Sequence, residues 1–183
     1  MVFIGDSITE GWNGNGQKFW KEHFEPMGAV NFGIGGDMTQ NLLWRLHYGD
    51  TENLDPKAVV LLIGTNNLSF TEDAPETIAA GVIAVVDALE KAYPHAAILL
   101  TAVFPRSEKP DHPLRASILR INSIISQLAS REKVTYLDIS ERLLQPDGTI
   151  SKEIMPDFLH LSEAGYRRWT EAILPWLNKH SGG

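Results

Sequence analysis

The chain has 183 residues, 43% of them hydrophobic and 21% charged, which suits one soluble globular domain with a substantial core. A formal net charge of -7 with no block of Lys and Arg argues against a nucleic-acid partner, and no apolar run is long enough to span a membrane. The absence of cysteine excludes disulfides, thiolate metal sites and a cysteine nucleophile.

Val2 to Gly5 reads as a first buried strand directly after Met1, with no basic region and apolar segment of a secretory leader before it. The expectation is a cytoplasmic protein, or a secreted one from which a leader has been trimmed. Ser7 then falls at a strand-to-helix turn, followed by the Gly- and Asn-rich loop Gly11-Trp12-Asn13-Gly14-Asn15-Gly16. A second strand is expected over Ala29 to Gly33, with Asp37 capping a helix that begins near Thr39. A third strand covers Ala58 to Ile63. Asp73 and Pro75 suit the start of a helix whose apolar face is Ile78, Val82, Val85, Val86 and Leu89. The fourth strand is expected over Ala96 to Phe104, and Pro105 to Pro113 as a surface loop. Leu114, Ile118, Ile121, Ile125 and Leu128 mark another helix, and Val134 to Asp138 the fifth strand. The last helix runs from a Ser162 cap to about Leu177, with Pro175 expected to bend or shorten it.

Strands alternating with helices predict an α/β fold with three layers, α/β/α, around a flavodoxin-like parallel sheet of five strands, residues 1–183 forming one domain. Strands apolar at every position fit burial on both faces. Ligands of such sheets bind beyond the carboxyl ends of the strands. Four polar clusters lie there: Gly5-Asp6-Ser7, Gly33 to Asp37, Gly64-Thr65-Asn66-Asn67, and Asp157-Phe158-Leu159-His160 before the final helix.

A hydroxyl attacks well only when a base takes its proton. Asp157 and His160 are three residues apart, so one tight loop can present both to Ser7: the carboxylate would fix the imidazole tautomer and the ring would act as general base. The backbone amides of Ser7 and Gly36 and the side-chain amide of Asn66 can together hold an oxyanion. Each element has a plainer reading as a turn, a helix cap or an Asx-turn. All of them together, each at a strand end, are much harder to explain that way.

Gly5-Asp6-Ser7, Gly36, Gly64-x-Asn66 and Asp157-x-x-His160 resemble the successive blocks of the SGNH (GDSL-type) hydrolase family. That resemblance implies a serine esterase in which Ser7 and His160 are catalytic, Asp157 orients the histidine, and Ser7, Gly36 and Asn66 form the oxyanion hole. Longer stretches are similar to the intracellular platelet-activating-factor acetylhydrolase branch, among them Asn31 to Asp37, Leu43-Trp44-Arg45-Leu46, Pro105-Arg106-x-Glu108-Lys109-Pro110 and Asp157 to Leu161. Relatives of that branch are commonly dimeric, which implies a homodimer. Asn67 stands where the broader family often has Asp, and the loop of residues 11–16 is unlike that branch.

Ile8, Thr65 and Leu159 adjoin these groups in sequence and would wall a small acyl pocket suited to acetyl. An acetylated carbohydrate is the first expectation for substrate, with Trp12 stacking on the sugar or else packing on the sheet; a phospholipid or other small acetyl ester is the second. Arg45 and Arg106 can meet an anionic group or stay in weak pairs. The six histidines are scattered without a ligand motif, so no metal or cofactor is expected. Two rivals remain: a catalytically silent binding module on a hydrolase fold, and a nucleotide-binding domain built on Gly33-x-Gly35, whose G-x-G-x-x-G pattern fails at Met38.

Overall fold

The computed structural model describes residues 1–49, 54–71 and 73–180. In chain order its strands and α-helices are β1 (Val2–Gly5), α1 (Ser7–Glu10), α2 (Gln17–Phe19), β2 (Val30–Gly33), α3 (Thr39–Tyr48), β3 (Ala58–Leu62), α4 (Asn67–Phe70), α5 (Pro75–Ala92), β4 (Ala97–Thr101), α6 (Pro113–Ile125), β5 (Val134–Leu137), α7 (Ser140–Leu143) and α8 (Glu163–His180). The strands form one parallel sheet in the order β2-β1-β3-β4-β5, the flavodoxin-like order expected from the sequence.

Successive strand side chains point to opposite faces, and they sort into two cores. Val2, Ile4, Val59, Leu61, Ile98 and Leu100 face α3, α5 and α6, where Leu42, Val82, Val86 and Ile121 meet them. Phe3, Val60, Leu62 and Leu99 face the other layer, built on Trp12, Phe24, Trp169, Ile173 and Leu177. β3 is buried along its whole length. The edge strand β2 is not: Val30 is 45% exposed, so its apolar run does not mean burial on both faces.

Several local expectations change for identifiable reasons. β4 is shorter than its apolar run: Ala102 N–H still donates to the Leu137 carbonyl at 2.9 Å, but Val103 and Phe104, though buried, leave the sheet, and the Asn122 side-chain amide pairs with both the N–H and the carbonyl of Val103, at 2.9 Å each. Asp73 does not cap α5; it accepts from the Thr71 hydroxyl, and Ala74 occupies the cap position. α8 runs through Pro175, which stands on the exposed side where water can hydrate the carbonyl it leaves unpaired. Ser162 does serve at the start of α8, its Oγ accepting from Gly165 N–H at 3.2 Å. A side chain at Gly33 would lie 2.1 Å from the Glu10 backbone nitrogen, so this glycine lets α1 pack on β2 rather than opening a phosphate loop.

Candidate active site

The nucleophile turn is set by crowding. A Cβ on Gly5 would sit 2.3 Å from the Leu62 carbonyl oxygen and 2.2 Å from Thr9 Oγ1, so only glycine passes between β3 and α1. Asp6 then caps α1, its carboxylate accepting from Ile8 N–H at 2.9 Å, and Ser7 becomes the first residue of the helix. The Ser7 N–H is therefore among the donors that a helix start leaves without an intrahelical partner. From the opposite end of the chain, the Tyr166 hydroxyl on α8 donates to the Ile8 carbonyl at 2.6 Å and fixes the turn.

Ser7 Oγ lies 2.9 Å from His160 Nε2, and His160 Nδ1 lies 2.7 Å from Asp157 Oδ2. The other carboxylate oxygen of Asp157 accepts from the backbone N–H groups of Leu159 (3.0 Å) and His160 (2.7 Å). Partial burial pushes the Asp157 carboxyl up, but the His160 ring, these two amides and the histidine charge together bring it below the ordinary carboxylate value. An ionised carboxylate only accepts, so Nδ1 carries the proton toward Asp157 and Nε2 is left to accept from the Ser7 hydroxyl.

The loop after β2 closes over this turn. Ile34 N–H donates to the Gly5 carbonyl at 3.1 Å, and a Cβ on Gly35 would be 3.9 Å from Ser7 Cβ. Gly36 has φ +82°, a backbone conformation that a side chain would strain even though nothing crowds the position. Asn66 Nδ2 donates one hydrogen to the Asp37 carbonyl at 2.9 Å, joining this loop to the one after β3. A primary amide has a second hydrogen, and no other partner of Asn66 Nδ2 occurs among the described residues. Asn67 takes Thr39 N–H on its Oδ1 (3.1 Å) and donates through Nδ2 to Gln40 Oε1 (3.1 Å). An aspartate there could make the first bond but not the second.

Arg106 is half-buried and donates from Nη1 to the Thr65 carbonyl (3.1 Å), Thr65 Oγ1 (3.3 Å) and Ser69 Oγ (2.7 Å), which pins the Asn66 loop from outside. Beside it, Ser107 and Phe158 are the only non-glycine residues with positive φ among the described residues, at 69° and 60°, and Ser107 N–H donates to the Phe158 carbonyl at 2.8 Å. Backbone strain of this kind persists where surrounding contacts over-determine it. Here Phe158 places it between Asp157 and His160.

Other residues are not where the sequence suggested. Trp12 is fully buried against Phe24, Tyr166 and Trp169, with ring centroids 5.1, 4.6 and 4.8 Å away, and cannot stack on a sugar. The glycines of its loop have packing roles: a Cβ on Gly11 would lie 2.0 Å from the Tyr166 hydroxyl, and one on Gly16 2.5 Å from the Trp12 ring. Asn15 donates to the Leu161 carbonyl at 3.1 Å. Ile8 is 1% exposed and supports the turn from within the core, so it offers little surface to a ligand; Thr65 is buried and Leu159 half-buried. Asp37 does not cap α3. It pairs with Arg45 Nη2 at 2.6 Å, and Arg45 also donates to the Phe32 carbonyl at 3.0 Å, so neither side chain is free for an anionic ligand. Burial pushes the Asp37 carboxyl up against the opposing pull of Arg45, and Glu10 adds to the rise. Among the described residues no group of three or more His, Asp or Glu is placed to hold a metal ion, and no helix is long and apolar enough to cross a membrane.

Asp6 is completely buried, and its second carboxylate oxygen has no hydrogen-bond partner among the described residues. Burial pushes its pKa up to about 7, against the opposing effects of the Ile8 amide and His160, with Asp37 adding to the rise. The folded protein therefore retains a proton that the unfolded chain, with its ordinary value of 3.8, has already released. The stability this group confers is full below pH 3.8 and is lost as pH rises through about 7. In urea unfolding, the wild type is expected to lose on the order of 2–3 kcal/mol from this group between about pH 5 and pH 8. The Asp6→Asn variant should lose correspondingly less, and parallel pH curves for the two proteins would contradict the assignment.

The profile of the GDSL-like lipase/acylhydrolase family matches residues 3–168. Platelet-activating factor acetylhydrolase IB subunit alpha1 of Rattus norvegicus is 40% identical over 167 residues, covering 91% of this chain and 69% of that protein. Subunit alpha2 of Mus musculus is 39% identical over 169 residues, covering 92% and 71%. Among solved structures, a GDSL-like lipase from Bacteroides thetaiotaomicron superposes with TM-score 0.81 at 23% identity, covering 97% of this chain and 87% of the other. The acetylxylan esterase Axe2 from Geobacillus stearothermophilus gives 0.73 at 20% identity, covering 100% and 93%. At these identities the two structures speak to fold.

Proposed function

Because this chain belongs to the GDSL-like lipase/acylhydrolase family and is an esterase-type hydrolase, we propose that it cleaves short-chain acyl esters, acetyl above all, through an acyl-enzyme on Ser7. The observation that carries this reading is the continuous relay from Ser7 Oγ through His160 to Asp157, with hydrogen bonds of 2.9 and 2.7 Å.

Ser7 Oγ attacks the ester carbonyl while its proton passes to His160 Nε2. The carbonyl oxygen becomes an oxyanion, held by the N–H groups of Ser7 and Gly36 and by the spare hydrogen of Asn66 Nδ2. Asp157 stabilises the imidazolium formed at that moment. When the C–O bond breaks, His160 returns the proton to the leaving alcohol, and the acyl group stays on Ser7 Oγ. Water then attacks the acyl-enzyme with His160 again as base; the Ser7 hydroxyl is restored and the carboxylic acid leaves.

The acyl group is walled by Thr65, held in place by Arg106, and by Leu159, over a floor supported by Ile8. Such walls favour acetyl because added methylenes would have to displace packed atoms. With p-nitrophenyl esters, acetate is expected to exceed butyrate in kcat/KM by about tenfold or more, at ~1–3 kcal/mol per misfitted methylene, and octanoate by more. Equal turnover of octanoate would remove the small pocket. A fluorophosphonate probe should label Ser7; an intact, folded protein that resists the probe would favour the silent binding module instead.

For the alcohol, an acetylated carbohydrate is the reading we prefer, supported by the uncharged, amide-bearing face of Gln40, Asn41 and Trp44 beside the Gly36 loop. An acetylated phospholipid is the second reading, favoured by the 40% identity to platelet-activating factor acetylhydrolase subunits. A homodimer, common in that branch, is proposed on the same ground.

A further inference from the structure

An open groove of about 410 Å³ lies beside the Gly36 loop, lined by Asp37, Gln40, Asn41, Trp44 and Arg45. Asp37 connects it to the reacting centre, since the Asp37 carbonyl receives the hydrogen bond from Asn66 Nδ2 at 2.9 Å. The groove thus borders the loop after β2 that carries Gly36.

We propose that the groove is a sugar subsite, in which Trp44 is the stacking platform for the carbohydrate of an acetylated oligosaccharide. The proposal rests on the reading of the protein as an acetylesterase acting on carbohydrate, and assigns the side chains that recognise it. Trp44 is 62% exposed, an unusual position for so large an apolar ring, and its flat face matches the C–H face of a pyranose. Gln40 and Asn41 are also exposed; their Oε1 and Oδ1 already accept from Asn67 Nδ2 at 3.1 Å and Met38 N–H at 3.0 Å, so what they offer ring hydroxyls is amide N–H groups. Gln40, Trp44 and Tyr48 follow at i, i+4 and i+8 on α3, a stripe about 12 Å long that leads away from the Gly36 loop. The Trp44 and Tyr48 rings stand 5.9 Å apart, and Tyr48 is 69% exposed. This length exceeds one sugar ring, so a chain rather than a monosaccharide fits it.

Charge separates this ligand from a phospholipid. Among the described residues the one cation that lines the groove, Arg45, is held by Asp37 at 2.6 Å and by the Phe32 carbonyl at 3.0 Å. The pair leaves no spare positive charge to meet a phosphate, and a neutral polyol needs none. Arg45 thus shapes the groove rather than drawing an anion into it.

The test compares acetylated xylotriose with ethyl acetate, whose alcohol has no ring to stack on Trp44, for the wild type, Trp44→Ala and Trp44→Phe. The ratio of kcat/KM on the sugar ester to that on ethyl acetate is expected to fall about tenfold or more in Trp44→Ala and less in Trp44→Phe. Calorimetric binding of unacetylated xylotriose to the Ser7→Ala protein should weaken comparably when Trp44→Ala is added. An unchanged ratio with unchanged binding overturns the subsite. So does an equal loss on both esters together with dissociation of a dimer in size-exclusion chromatography, which would make this face a contact between copies. If xylotriose binds through Trp44 but its acetates are not hydrolysed, the subsite stands and the carbohydrate-esterase reading fails.

Discussion

Ser7→Ala and His160→Ala are each expected to lower kcat/KM for p-nitrophenyl acetate by about a thousandfold or more, with the double variant no worse than the poorer single one. The size follows from the relay. Without Ser7 Oγ there is no covalent intermediate, and without His160 Nε2 the hydroxyl 2.9 Å away keeps its proton through the attack. Groups that act as a unit fail together, so the second deletion has nothing further to remove. Both substitutions leave the fold alone. Among the described residues Ser7 Oγ bonds only to His160, alanine is a good residue in the first turn of α1, and the His160 side chain is 44% exposed. Unfolding midpoints within a few degrees of the wild type would confirm that the loss is chemical. A Ser7→Ala protein that cleaves the ester as fast as the wild type would refute the mechanism outright.

What could be read from the sequence and what could not divide along a physical line. Strand positions and the Ser7, Asp157 and His160 constellation follow from patterns local to each segment: apolar runs, glycines at strand ends, and polar residues gathered on one rim, whereas the alternation of strands and helices suggested the sheet order without proving it. The purposes of glycines and charges could not be read in that way, because each is set by a partner far along the chain. The glycines near Trp12 suggested a ligand loop until Tyr166, about 150 residues later, proved to lie against them. Arg45 and Arg106 have the side chains of anion receptors, but their bonds go to Phe32, Asp37, Thr65 and Ser69, within the protein. Trp44 was legible only as part of a resemblance. In a helix with apolar residues on neighbouring faces, nothing in the sequence distinguishes an aromatic ring that packs from one that faces water.

Asn66→Ala is expected to lower kcat for p-nitrophenyl acetate by about 100- to 1000-fold while KM changes little. The side-chain amide can act in two ways, and the variants can tell them apart. One hydrogen is already committed to the Asp37 carbonyl at 2.9 Å, so part of any loss could come from slack between the two loops. The other hydrogen has its proposed partner only once the carbonyl oxygen acquires negative charge, and an interaction made only in the transition state appears in kcat rather than KM. Asn67→Asp probes the neighbouring loop link. That residue receives Thr39 N–H and donates to Gln40, and an aspartate keeps the first bond while losing the second. If loop slack governs the rate, Asn67→Asp should show a sizeable fraction of the Asn66→Ala defect. If the oxyanion governs it, Asn67→Asp should stay within a few-fold of the wild type while Asn66→Ala collapses in kcat. A decline of less than about threefold in Asn66→Ala would take Asn66 out of the oxyanion hole and leave the amides of Ser7 and Gly36 to hold it.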